Sequence, residues 1–108
     1  RFGNAGSFFK NPLISTNKFE KLKIRFPWLK CYSTEYPGLV KVSAAWLLDE
    51  AGWKGKKHGS AAVYDHHALI LVNNGGATGK DILLLAQDMR DSILITYGIN
   101  LEPEVKII

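Results

Sequence analysis

Two stretches of this sequence carry residue types that could do chemistry. The first is Gly3-Asn4-Ala5-Gly6-Ser7-Phe8-Phe9-Lys10-Asn11-Pro12. Small residues let the backbone come close to a ligand, and a hydroxyl held at Ser7, directly after Gly6, could donate a hydrogen bond or a proton. Ser7 is not the nucleophile of a hydrolase elbow, because Gly-x-Ser-x-Gly needs a second glycine where Phe9 stands. Nor is the stretch a dinucleotide fingerprint, since the glycine spacing is wrong and no strand precedes it. A tight turn whose serine satisfies local backbone groups accounts for the same residues without any chemistry.

The second stretch is Leu101-Glu102-Pro103-Glu104-Val105-Lys106-Ile107-Ile108. Its alternation reads as a strand, with Leu101, Val105 and Ile107 pointing one way and Asn100, Glu102, Glu104 and Lys106 the other. Glu102 and Glu104 then share a face. A solvated outer face explains them equally well. The three histidines, His58, His66 and His67, have no metal-ligand spacing, and no metal is expected.

Composition bounds the possibilities. The chain has 108 residues, 46% hydrophobic and 22% charged, which suits one small folded domain. No apolar run approaches the roughly 18–20 residues needed to span a bilayer. Cys31 is the only cysteine, so no internal disulfide can form, and a reducing compartment, the cytoplasm, is expected. A net charge of +4 and a pI near 9.3 suit anionic partners, either nucleic acid or a small phosphorylated ligand. The Arg-Phe-Gly-Asn start and the end directly after an apolar alternation suggest a piece of a longer protein.

The elements that must position these residues are partly legible. The first dozen residues read as an ordered loop or short strand with Phe8 and Phe9 buried. A helix is predicted from Ser15 to Arg25, capped by Ser15, Thr16 or Asn17 and stopped by Pro27, with Phe19, Leu22 and Phe26 inward. Trp28 to Leu39 reads as a loop. A second helix, Ser43 to Ala51, ends at Gly52, and the basic run Lys54-Gly55-Lys56-Lys57-His58-Gly59 follows. Ala61–Tyr64 and Ala68–Asn73 read as strands, and Asn73 to Gly76 as a turn. A third helix spans Lys80 to Tyr97, with Thr78 and Asp81 as a capping box, Ile82, Leu85, Met89, Ile93 and Tyr97 as its apolar stripe, and Gly98 as its end. Strands and helices do not alternate regularly, so the expected class is α+β: a single small domain, with an antiparallel or mixed sheet and helices packed on one side.

The two motifs together resemble those of the UDP-N-acetylenolpyruvoylglucosamine reductases, and the similarity continues through Lys41–Gly55 and Gly59–Asn73, over essentially the whole chain. The resemblance implies the C-terminal, substrate-binding domain of a flavoenzyme, residues 1–108, lacking the upstream FAD-binding domain. In that family a hydride passes from NADPH to FAD and then to the enolpyruvyl group of a UDP-sugar, a cytoplasmic step of peptidoglycan precursor synthesis. Ser7 matches the proton donor. Glu104 matches the catalytic glutamate, whose arginine partner belongs to the flavin domain. Asn11 is implied to hydrogen-bond the diphosphate region, Lys41 to help hold the nucleotide, and His67 to lie near the diphosphate, where glutamine is a common occupant. Lys30–Gly38 resembles the mobile loop of one subtype, with Tyr36 as the tyrosine that closes over the substrate and Tyr32 as its rival. The substrate implied is UDP-N-acetylglucosamine enolpyruvate, with no nucleic acid and no membrane. No residue of this chain is expected to bind the flavin, and the chain alone is expected to be inactive.

A small basic nucleic-acid-binding module is the alternative that charge alone would suggest, resting on the Lys54–His58 run and the aromatic content. No helix-turn-helix, RNP or zinc signature accompanies it.

Overall fold

The computed structural model describes residues 8–58, 61–63, 71–73, 75–76 and 78–104. Among them the chain runs β1 (Leu13–Ser15), α1 (Thr16–Arg25), β2 (Cys31–Tyr32), β3 (Leu39–Val42), α2 (Ala44–Glu50), β4 (Lys57–His58), β5 (Ala61–Val63), β6 (Leu71–Asn73) and α3 (Gly79–Tyr97). The domain is α+β with antiparallel pairing, the expected class; among the described residues the strands pair in the orders β1-β3-β2 and β4-β5-β6.

Each helix begins where a side chain can accept from its otherwise unpaired N–H groups. Ser15 Oγ accepts from Lys18 N at 3.1 Å, and Ser43 Oγ accepts from Trp46 N at 3.1 Å. At α3 the capping box is complete: Asp81 N donates to Thr78 Oγ1 at 3.2 Å, and Thr78 N donates to Asp81 Oδ2 at 2.9 Å. The shorter acid closes the box as a glutamate would. α3 stops at Gly98, left-handed at φ +68°, whose N–H returns to Leu94 O at 2.9 Å. The Gly98 carbonyl accepts from Lys18 Nζ, which ties α1 to the end of α3.

The apolar stripe of α3 packs as its spacing predicts. Leu85, Met89, Ile93 and Tyr97 are buried and Ile82 partly so, against β4, β5 and α2. Burial of a side chain such as Met89 or Ile93 contributes about 1.5–3 kcal/mol. On α1, Leu22 is buried while Phe19 and Phe26 pack against the core from its margin. The Tyr97 ring lies 4.8 Å from that of Phe26 and 6.2 Å from that of Trp46, centroid to centroid. Burial, and secondarily the charge of Glu50, pushes the Tyr97 phenol above its ordinary 10.0.

Short strands account for most departures from the sequence reading. Trp28–Leu39 is not all loop, because Cys31–Tyr32 pairs with β3. Lys57 and His58, read as loop, form β4. The strands expected at Ala61–Tyr64 and Ala68–Asn73 appear as Ala61–Val63 and Leu71–Asn73; residues 64–70 lie outside the described residues. At the C-terminal end Leu101 is fully buried, but the pairing there is a single bridge, Phe9 with Pro103, and residues 105–108 lie outside the described residues.

Candidate ligand-binding site

Phe8 to Ser15 is the spine of the site, because it pairs twice. Its first part lies antiparallel to the C-terminal stretch: Lys10 N donates to Glu102 O at 2.9 Å and Glu104 N donates to Phe8 O at 2.6 Å. These bonds flank the Phe9–Pro103 bridge, so Phe9 and Pro103 face each other as a non-hydrogen-bonded pair. Pro103, which has no N–H to give, occupies the position where none is required. Phe8 and Phe9, 4% and 2% exposed and edge-to-face at 5.0 Å, anchor this end in the core. The second part pairs with β3, through Val42 N to Pro12 O at 2.9 Å and the register Leu13–Lys41, Ile14–Val40, Ser15–Leu39. Ile14 and Val42 are buried, while Leu13, Ser15, Leu39 and Lys41 are exposed on the other face.

An open cleft of about 480 Å³ lies along this spine, lined by Phe9, Lys10, Asn11, Leu13, Tyr36, Lys41 and Glu104. Residues far apart in sequence meet here because the spine is hydrogen-bonded to both Glu104 and β3. Leu13 and Lys41 are directly paired and so share a face of the sheet. Tyr36 is placed by a turn: Leu39 N donates to Tyr36 O at 3.2 Å, with Pro37 and Gly38 between and Gly38 at φ +78°. Proline followed by a positive-φ glycine is the signature of a type II turn. Tyr36 N also donates to Thr34 Oγ1 at 3.0 Å, and the residue is 55% exposed. Of the two tyrosines weighed for the lid, Tyr36 lines the cleft; Tyr32 sits on β2 with Lys30 Nζ 5.9 Å from its ring centre.

Asn11 has a structural bond that the sequence does not announce. Its Oδ1 accepts from Ala44 N at 3.0 Å, capping α2 from 33 residues away and doubling the cap that Ser43 makes. The carboxamide Nδ2 is the donor left to a ligand, since an asparagine side chain offers both. Lys10 and Lys41 have no side-chain partner among the described residues. The cleft thus carries two ammonium groups against the one carboxylate of Glu104, a phenol, an amide, and the apolar surface of Phe9 and Leu13. Such a lining suits an anionic ligand with some apolar or ring surface.

A second cleft, about 350 Å³, adjoins the first and shares Lys10, Asn11 and Leu13 with it, adding Pro12, Asn100 and Glu102. The two glutamates that strand parity puts on one face therefore line different clefts. Ser7 and His67 lie outside the described residues, so four of the six expected site residues, Asn11, Tyr36, Lys41 and Glu104, are placed, all in the larger cleft. Phe9, Lys10 and Leu13 were not singled out; Lys10 carried the one available signal, a cation inside the serine motif.

Among the described residues each of the three helix starts carries a side-chain cap, from Ser15, from Ser43 with Asn11, and from Thr78 with Asp81. Two lysines of the basic run have partners on their own surface. Lys54 pairs with Asp49 at 3.2 Å and Lys56 Nζ lies 4.8 Å from the Trp53 ring centre. None of the described helices is long and apolar enough to cross a membrane.

Comparison with known proteins gives a consistent answer. The profile of the family described as "UDP-N-acetylenolpyruvoylglucosamine reductase, C-terminal domain" matches residues 1–108. A protein of Burkholderia ambifaria named UDP-N-acetylenolpyruvoylglucosamine reductase is 51% identical over 102 residues, 94% of this chain and 29% of its own length. The protein of the same name from Bacteroides fragilis is 45% identical over 106 residues, 98% of this chain and 32% of its own length. The chain thus spans about a third or less of the relatives it matches.

Proposed function

The chain belongs to the UDP-N-acetylenolpyruvoylglucosamine reductase family, as that reductase's C-terminal domain, and from this premise we propose that it binds the UDP-sugar substrate and supplies the proton donor and a carboxylate to its reduction. The substrate is UDP-N-acetylglucosamine enolpyruvate, the product UDP-N-acetylmuramate, and the setting is peptidoglycan precursor synthesis in the cytoplasm. NADPH and FAD belong to the upstream portion of the polypeptide, which supplies the hydride to one carbon of the enolpyruvyl double bond.

The residues of this chain bind, orient and protonate. Ser7 Oγ–H gives its proton to the carbon left with negative character, the double bond becomes single, and the serine recovers a proton from solvent. A neutral serine is a weak acid, so this needs an enolate-like acceptor and close positioning. Glu104 steadies the substrate carboxylate and the developing charge together with an arginine of the upstream domain. Lys41 and the Asn11 amide hold the nucleotide and diphosphate, with His67 near the latter, and Tyr36 closes over the substrate to exclude water.

What supports the reading is the convergence of Asn11, Tyr36, Lys41 and Glu104 on one cleft. The backbone bond from Glu104 N to the carbonyl of Phe8, the residue to which Ser7 is bonded, supports it further. The nucleic-acid alternative has only charge behind it, and titration of the full-length protein separates the two. The proposal expects calorimetric binding of the enolpyruvyl UDP-sugar and none of a short DNA duplex at 0.15 M salt. Duplex binding that falls steeply with salt, without UDP-sugar binding, would overturn it.

A further inference from the structure

Lys10 stands between two carboxylates in two clefts. It lines the larger cleft with Glu104 and Lys41 and the smaller one with Glu102 and Asn100. In the pairing around Phe9 and Pro103, Lys10 lies directly opposite Glu102 and is bonded to it through the backbone, so their side chains leave the same face. Lys10 is exposed, and its ammonium has no ion pair or side-chain hydrogen bond among the described residues. An ammonium on a flexible four-carbon stem can serve either side of such a boundary.

Resting on the substrate reading above, we propose that Lys10 is a ligand-holding cation of the larger cleft and that Glu102 is its counter-charge when the cleft is empty. With no ligand, Glu102, directly across the pairing, is the carboxylate that draws the Lys10 ammonium toward the smaller cleft, through space and without a direct ion pair. An anionic ligand seated beside Lys41 supplies a stronger negative centre, and Lys10 moves across to it. The backbone bonds of Lys10 and Glu104 fix the stem's origin, so the exchange requires only side-chain rotation. Glu102 and the ligand compete for one ammonium, and so Glu102 sets the affinity without touching the ligand.

The competition predicts a sign that simple charge removal at a surface does not. In the full-length reductase, the Kd for UDP-N-acetylglucosamine enolpyruvate is measured by calorimetry for the parent, Lys10→Met, Lys10→Arg, Glu102→Gln and the Lys10→Met/Glu102→Gln pair, each checked for an unchanged melting temperature. Lys10→Met is expected to weaken binding about tenfold, the scale of a charge-assisted contact, and Lys10→Arg to stay within threefold of the parent. Glu102→Gln is expected to tighten binding two- to threefold in the parent background and to have no effect once Lys10 is Met. If the parent binds and Lys10→Met binds equally well, the role given to Lys10 is wrong while the substrate reading stands. If Glu102→Gln acts equally in both backgrounds, Glu102 works as a distant charge and the exchange is refuted. If the parent itself does not bind the UDP-sugar, it is the functional reading that fails.

Discussion

Asn11 is the residue at which structure and function can be pulled apart by single-atom chemistry. Its Oδ1 accepts from the N–H of Ala44, a residue with no exposed surface. Asn11→Ala leaves that donor buried and unpaired, at a cost of about 1–3 kcal/mol. In a domain of this size each kcal/mol is worth roughly 4–8 °C, so the melting temperature is expected to fall by roughly 4–24 °C. Asn11→Asp keeps the acceptor and charges it. A carboxylate at a helix start gains about 0.3–1 kcal/mol from the aligned peptide dipoles, so the melting temperature is expected to hold or rise at pH 7. The same charge enters the cleft that carries Glu104. At about 6 Å from an anionic ligand, with an effective dielectric of about 20–80, it costs roughly 0.7–3 kcal/mol, or between 3- and 100-fold in Kd. Thermal unfolding by circular dichroism and calorimetric titration of the enolpyruvyl UDP-sugar read the two effects separately. An aspartate variant that melts as early as the alanine variant would refute the capping argument. One that binds the ligand like the parent would refute the anion-binding character of the cleft.

Three further outcomes follow from the geometry. Gly98→Ala is expected to lower stability by about 1–2 kcal/mol, seen in denaturant titration, because a Cβ is disfavoured at φ +68°. Tyr97, whose phenol is raised by burial and then by Glu50, holds its proton more tightly folded than unfolded. Its contribution is therefore intact below about pH 10 and is lost as pH rises through the folded value; Tyr97→Phe should flatten the alkaline arm of a melting-temperature profile and leave the neutral region little changed. The 108-residue chain purified alone is expected to lack flavin absorbance near 450 nm, and stoichiometric flavin in it would contradict the assignment of the cofactor to the upstream domain.

What the sequence made legible was mostly local. Ser15, Ser43, the Thr78–Asp81 box and Gly98 are helix boundaries because each satisfies backbone groups within four residues of itself, and the α3 stripe is periodic over about four turns. The strands were harder. β2 and β4 are two residues each, too short for an alternation to be read, and β3 is recognisable only through its partners β1 and β2, one on either side of α1. Asn11 capping α2 is a bond across 33 residues, invisible to any window that reads spacing. The candidate site shows the same division. Residue types alone left Ser7 a turn and Glu102 and Glu104 a solvated face; the family resemblance named Asn11, Tyr36, Lys41 and Glu104, and only the double pairing of the Phe8–Ser15 spine explains why they meet. Glu102 and Glu104 flank Pro103 and line two clefts that share Lys10, Asn11 and Leu13, a separation that strand parity does not announce.

The central claim, that this domain delivers the proton while the hydride comes from elsewhere, is tested most directly by Ser7→Ala in the full-length reductase. Flavin reduction by NADPH and its reoxidation by the enolpyruvyl UDP-sugar are followed separately by absorbance in a stopped-flow instrument. Normal reduction with reoxidation slowed by several orders of magnitude is the predicted result. Reoxidation at nearly the parent rate would make Ser7 a turn residue and contradict the account.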